Sequence, residues 1–196
     1  MRRRSFLSTV AGCGAVGTAG CASIGGSSGE VRPDRTPRNV PAEFVCEADG
    51  FDRHPSGYSE DALRWGDAAG FSLRVDEVAF EYGETAEIQL EGDGERGNRH
   101  KFNVELYTET GWREVRGTTE DAVLAYTDEA VSGGFTTEVE LTEAGIVEAS
   151  HHDDVLDVCP DLVPGRYRFV FWGLIGDPAV AVAFDLASAG HSKTTR

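Results

Sequence analysis

Lysine is almost missing from this chain. Of its 18 basic residues only Lys101 and Lys193 are lysine, set against 34 acidic residues and a formal charge of −16. A chain so acidic offers no basic surface to nucleic-acid phosphates, which excludes nucleic acid as a partner. Methionine occurs once, at Met1, and no histidine follows Cys159 until His191. The two-His, one-Cys, axial-Met set of a blue-copper carrier is therefore lacking. No Cys-x-x-Cys pair points to a thiolate metal site, and no Asn-x-Ser/Thr acceptor for N-glycosylation occurs. Beyond the first residues no stretch is long and apolar enough to span a membrane. What is present suffices for one ordinary domain with extensions: 196 residues, 40% hydrophobic and 9% aromatic. The acids are spread along the chain rather than gathered in a tail. That pattern, with so little lysine, suits very concentrated salt, where screening shortens self-repulsion and carboxylates keep a surface hydrated. Most Asp and Glu are then read as surface solvation, and carboxylate pairs say little about catalysis.

The chain opens Met1-Arg2-Arg3-Arg4-Ser5-Phe6-Leu7, followed by a weakly apolar run of small residues to Thr18-Ala19-Gly20-Cys21. A basic start, a modest apolar stretch and small residues before a cleavage point make an export signal over residues 1–20. Arg3, Arg4, Phe6 and Leu7 resemble the twin-arginine signal, which implies export in the folded state. Ala19-Gly20-Cys21 resembles a lipobox, in which Cys21 becomes the lipidated first residue; Thr18 stands where leucine is commoner. Simple cleavage, or a retained signal acting as anchor, are the alternatives. The expected place is the outer face of the cytoplasmic membrane, with the membrane itself as partner through the lipid. One lipid chain holds a protein only marginally, so attachment needs two chains or a second contact.

Residues 21–65 are read as the lipidated start, a flexible tether to about Pro41 and a segment carrying Cys46. Gly25-Gly26-Ser27-Ser28-Gly29 matches the G-x-S-x-G nucleophile elbow in letters only, because a linker lacks the strand and helix that motif needs. Cys46 and Cys159 are the cysteines left after the signal and lipobox, and outside the membrane they are expected to pair. The rival is a pair of thiolate ligands.

From residue 66 to 188 apolar residues alternate with period two. Phe71, Leu73 and Val75 share one face, as do Ala86, Ile88 and Leu90, then Phe102, Val104 and Leu106. Phe135, Thr137, Val139 and Leu141 repeat the pattern, then Tyr167, Phe169 and Phe171, then Val180, Val182, Phe184 and Leu186. Turn signals lie between, including Tyr82-Gly83-Glu84, Thr110-Gly111, Ser132-Gly133-Gly134 and Pro164-Gly165. Only Thr142 to Ser150 reads as a helical turn or two. About seven to nine half-buried strands predict an all-β, antiparallel β-sandwich. Residues 189–196 read as a disordered tail.

Gly97-Asn98, Phe102-Asn103-Val104, Gly111-Trp112-Arg113-Glu114-Val115 and Pro164-Gly165-Arg166-Tyr167-Arg168-Phe169 together resemble the immunoglobulin-like domain of bacterial and archaeal surface lipoproteins. The resemblance covers roughly Phe71 to Leu186. It implies an immunoglobulin-like sandwich in an envelope setting, and carries over no catalytic residue. The Cys-Trp-Cys arrangement of antibody domains is not evident, since Cys46 precedes the sandwich.

Gly92-Asp93-Gly94-Glu95-Arg96-Gly97 is a literal G-x-G-x-x-G, but a strand rather than a helix follows, so it reads as a hairpin loop. Asp93 and Glu95 fit weak calcium binding there, without EF-hand spacing. His151-His152-Asp153-Asp154 is the densest group of ligand-type residues. It is read as a solvated loop, with a divalent-metal site as the alternative if the fold brings up His54, His100 or His191. Trp65, Trp112, Trp172 and Tyr126 read as packing rather than a carbohydrate or peptide surface. Arg166 and Arg168 are expected to pair with surface carboxylates. No catalytic residue, metal site or cofactor is expected. The reading is an exported, anchored, non-catalytic binding or structural module, its partner an envelope protein or glycan. A metal- or solute-binding lipoprotein is the first rival and a small hydrolase the second.

Overall fold

The computed structural model describes residues 29–92, 95–128, 131–176 and 178–189. The proposed signal residues Arg3, Arg4, Phe6 and Leu7 lie outside them, as do Cys21, Asp93, His191 and residues 190–196.

Seven strands carry the domain: β1 (Phe71–Val75), β2 (Thr85–Gly92), β3 (Phe102–Thr108), β4 (Gly111–Glu114), β5 (Phe135–Glu140), β6 (Gly165–Phe171) and β7 (Val180–Ala187). One sheet runs β5-β2-β1, continued by the two-residue strand Asp67–Ala68; the other runs β7-β6-β3-β4. The chain changes sheet between β2 and β3, between β4 and β5, and between β5 and β6, which makes an immunoglobulin-like sandwich. The labelled strands pair antiparallel. Two short strands depart from the expected wholly antiparallel pattern: Arg64–Trp65 and Ala79–Glu81 both run parallel to β7.

The alternating apolar residues are those between the sheets. Leu73, Leu90, Leu106, Phe169, Val182 and their strand neighbours are buried in one cluster. Register aligns them: Phe169 lies opposite both Val104 and Val182, and Phe102 stacks on Phe169 with ring centres 4.7 Å apart. The tight β3–β4 turn needs Gly111, whose φ of +104° strains any residue with a Cβ. The helix α1 (Glu143–Glu148) starts where Thr142 Oγ accepts the Gly145 amide at 3.0 Å. At the start of β6, the Tyr167 hydroxyl donates to the Val163 carbonyl at 2.7 Å and accepts the Val163 amide at 3.1 Å. This closes the β5–β6 corner in the manner of the tyrosine corner of immunoglobulin-like domains.

The segment before the sandwich is not a free tether as far as Pro41. Glu30 pairs with Val75, the Val31 carbonyl accepts the Ala183 amide, and the Pro41 carbonyl accepts the Glu109 amide. Phe44 is buried in the core, and Cys46 is bonded to Cys159. Farther on, Leu63 packs on Val170, Ala179 and Ala181, with Tyr58, Trp65 and Trp172 around them. The outer face of β6 is thereby covered, and every residue of β6 is buried.

That cover corrects the placement of Arg168. It is 1% exposed, not a surface arginine. Its Nε donates to the buried carboxylate of Glu105 at 2.6 Å, and the guanidinium also meets Glu60 and the Tyr58 hydroxyl. The guanidinium lies 4.4 Å from the Trp112 ring centre. Arg166 pairs with Asp185 at 2.8 Å, which Arg35 also reaches.

Candidate functional site at one end of the sandwich

β3 begins and β6 ends side by side, with Phe102 opposite Phe171. Four separate segments meet at this end. His54 follows the short strand Asp52–Arg53, and its amide donates to the Arg116 carbonyl. His100 stands just before β3, its amide donating to Asn98 Oδ1 at 2.7 Å. Tyr126 comes from the long connection between β4 and β5. His151 and His152 lie in the turn after α1, where the Val155 and Leu156 amides donate to the His152 carbonyl.

The fold thus collects four of the chain's five histidines. Ring centres are 5.1 Å apart for His100 and His151, and 4.9 Å for His151 and His152. Tyr126 sits among them, 5.0 Å from His152 and 6.3 Å from His151, with its hydroxyl 2.8 Å from His54 Nε2. Trp172 packs edge-on against Tyr126 at 5.8 Å, and its Nε1 donates to Asn103 Oδ1 at 2.6 Å. Gly57 lies so near the Trp172 indole that a Cβ there would overlap the ring. Asn98 Nδ2 donates to the Thr127 carbonyl, and Lys101 pairs with Asp128. These contacts fasten the Tyr126 connection to the head of β3.

Beneath the cluster lies a fully satisfied ionic core. Glu114 and Arg116 pair at 2.8 Å, with Arg116 1% exposed. Arg116 also donates to the Phe102 carbonyl at 2.6 Å and to Ser150 Oγ at 2.7 Å. Glu114 accepts the Val104 and Arg116 amides. Arg116 therefore ties the head of β3 to the residue preceding His151.

Two of these histidines, His54 and His100, sit in a setting that favours neutral imidazole. His54 is 3% exposed, and burial, with Arg116 and His152 nearby, pushes its pKa down to about 4. His100 is lowered too, by burial and then by Arg99, His151 and His152. The Nδ1 of His54 and the Nε2 of His152 are buried without a hydrogen-bond partner. Among the described residues no three His, Cys, Asp or Glu side chains are set ready to hold a metal. An open groove of about 480 Å³ runs beside His54, lined by Asp52, Pro55, Thr118, Glu120 and Leu124.

A depressed folded-state pKa makes His54 a source of acid sensitivity. The unfolded chain binds its proton near pH 6.5 and the folded chain only near pH 4. Stability is therefore kept above pH 6.5 and lost progressively as pH falls toward 4, by up to about 3 kcal/mol from this residue. Denaturant titrations at pH 7 and pH 4.5 are expected to show a smaller acid loss in His54→Gln than in the parent. Equal losses would refute the assignment.

The sequence named His151 and His152, and named His54 and His100 only as residues the fold had yet to bring near. The structure brings all four together. An extended His151-His152 pair would point its rings to opposite faces; the turn there puts them on one side. Tyr126 and Trp172 pack as expected, but against imidazoles. Trp65 and Trp112 lie away from the cluster on the outer face of the large sheet, ring centres 6.1 Å apart. Glu114 and Arg116 carry no signal in the sequence that marks them for burial. No protein-family model matches the chain, and no curated protein matches it.

Proposed function

We propose that this is an exported, lipid-anchored protein of the cell envelope whose immunoglobulin-like domain is a non-catalytic binding module. The observation that carries the binding role is the convergence of four end segments into one imidazole and aromatic surface, fixed from beneath by the Arg116 network. Loops at the end of a rigid sandwich are where such domains place their contacts. Three further features support the setting. The Cys46–Cys159 disulfide suits an oxidising compartment. The opening residues from Arg3 to Cys21 have the order of a twin-arginine lipoprotein signal. The acidic, lysine-poor surface suits work in concentrated salt.

Intact mass of the native, membrane-associated protein tests the anchoring. The expected species begins at Cys21 with lipid attached and gains the mass of two hydrogens on reduction. A chain that retains residues 1–20, or one cleaved without lipid, would overturn the anchor.

A further inference from the structure

We propose that residues 119–128 are an acid-released strap across the end of the sandwich, latched by His54. The proposal rests on the end segments being the binding surface, and adds that acid opens that surface. The strap is part of the connection between β4 and β5 and contains no strand or helix, so no backbone ladder holds it down. Its ties to the domain are made by side chains. Asn98 donates to the Thr127 carbonyl and Lys101 pairs with Asp128, both at exposed positions where such contacts add little. The remaining polar tie is the 2.8 Å bond between the Tyr126 hydroxyl and Nε2 of His54, which is 3% exposed. Tyr126 also packs on His151, His152 and Trp172. The groove of about 480 Å³ beside His54 is walled by Thr119, Asp121 and Leu124 of the strap, and Val123 between them is 91% exposed.

The groups around His54 oppose its charge. Arg116 faces it from the strand Arg116–Thr118, and His152 from the turn after α1. Glu114, in the ionic core below, is taken up by Arg116. Asp52, Arg53, Glu120 and Asp121 line the groove, and Arg53 is committed to the Phe44, Glu114 and Cys159 carbonyls. Among the described residues no carboxylate bonds the imidazole; the Pro55 backbone favours the charged ring, as the smallest of its influences. A proton on His54 therefore sets a second cation beside buried Arg116 with no anion to meet it. Water relieves that charge when the strap lifts along the groove, which parts Tyr126 from His54. The closed form takes its proton near pH 4 and an exposed imidazole near pH 6.5, so falling pH favours the lifted form. Between pH 7 and pH 5 the ratio of lifted to closed strap is expected to rise about 20-fold.

The test is nuclear magnetic resonance of the full mature chain in concentrated salt, titrated from pH 7 to pH 4. Histidine ring signals and backbone amides are followed together. The amides of residues 119–128 are expected to shift with the midpoint of the His54 ring, while those of Phe169 and Val182 stay in place. His54→Gln keeps a hydrogen-bonding side chain that cannot titrate, and is expected to abolish the strap's response between pH 7 and pH 5. Tyr126→Phe removes the tie from the other side. It is expected to raise the His54 midpoint and to free the strap already at pH 7. A His54 titration that leaves the 119–128 amides unmoved would overturn the latch. So would an unchanged acid response in His54→Gln, or a His54 midpoint that ignores Tyr126→Phe. No partner is present in the measurement, so its failure would leave the binding role standing, and a failed binding role would leave this response intact.

Discussion

Arg116→Met is expected to destabilise the protein by about 3–5 kcal/mol, because it strands a buried charge. Glu114 lies against Arg116 with almost no exposure, and burial already pushes its pKa up while Arg116 pulls it back. With the guanidinium gone, the carboxylate keeps only the Val104 and Arg116 amides. Phe102 and Ser150 also lose their donor. Adding Glu114→Gln should recover much of the loss, since a neutral amide costs far less to bury than an unpaired carboxylate. Denaturant unfolding of both single variants and the double variant measures this as a coupling energy. A single-variant loss under about 1 kcal/mol would show that the pair is not buried as described.

Removing the disulfide should have an effect of similar size by a different route. Cys46 and Cys159 are separated by 113 residues. Closing so long a loop removes unfolded-chain entropy equivalent to about 4–5 kcal/mol. Cys46→Ala with Cys159→Ala is expected to lower stability by up to that amount. The folded state should persist, because Arg53 bonds the Phe44, Glu114 and Cys159 carbonyls from the neighbouring strand. A larger dependence of stability on denaturant should accompany the loss, as the freed unfolded chain exposes more surface. A loss below about 1 kcal/mol in equilibrium unfolding would mean that residual structure already constrains the unfolded chain.

These two predictions lie on opposite sides of what could be read from the residues. The bridge was legible: Cys46 and Cys159 are the cysteines outside the segment read as signal and lipobox, and two such cysteines are expected to pair. The inner faces of the strands were legible too. Phe71, Ile88, Val104, Phe169 and Val182 alternate with polar neighbours, and a pleated strand turns that alternation into two faces. Thr142 and Gly111 announced the helix start and the β3–β4 turn by their own conformational preferences.

The outer face of the large sheet was not legible. Glu105 and Arg168 have the spacing of solvent-facing residues, and only the fold-back of Tyr58, Leu63 and Trp65 buries them. Glu114 and Arg116 likewise carry no local sign of burial, which comes from the Ser150 turn and β3. The imidazole cluster was hidden for the same reason: His54, His100 and His151 are far apart in sequence, and no local pattern links residues whose approach depends on strand register. Sequence by itself determined the sandwich, its core-facing residues and its covalent staple, because these follow from local periodicity and residue chemistry. The tertiary structure alone decided which charges are buried and which histidines meet, because burial and proximity are set by what another part of the chain places on top.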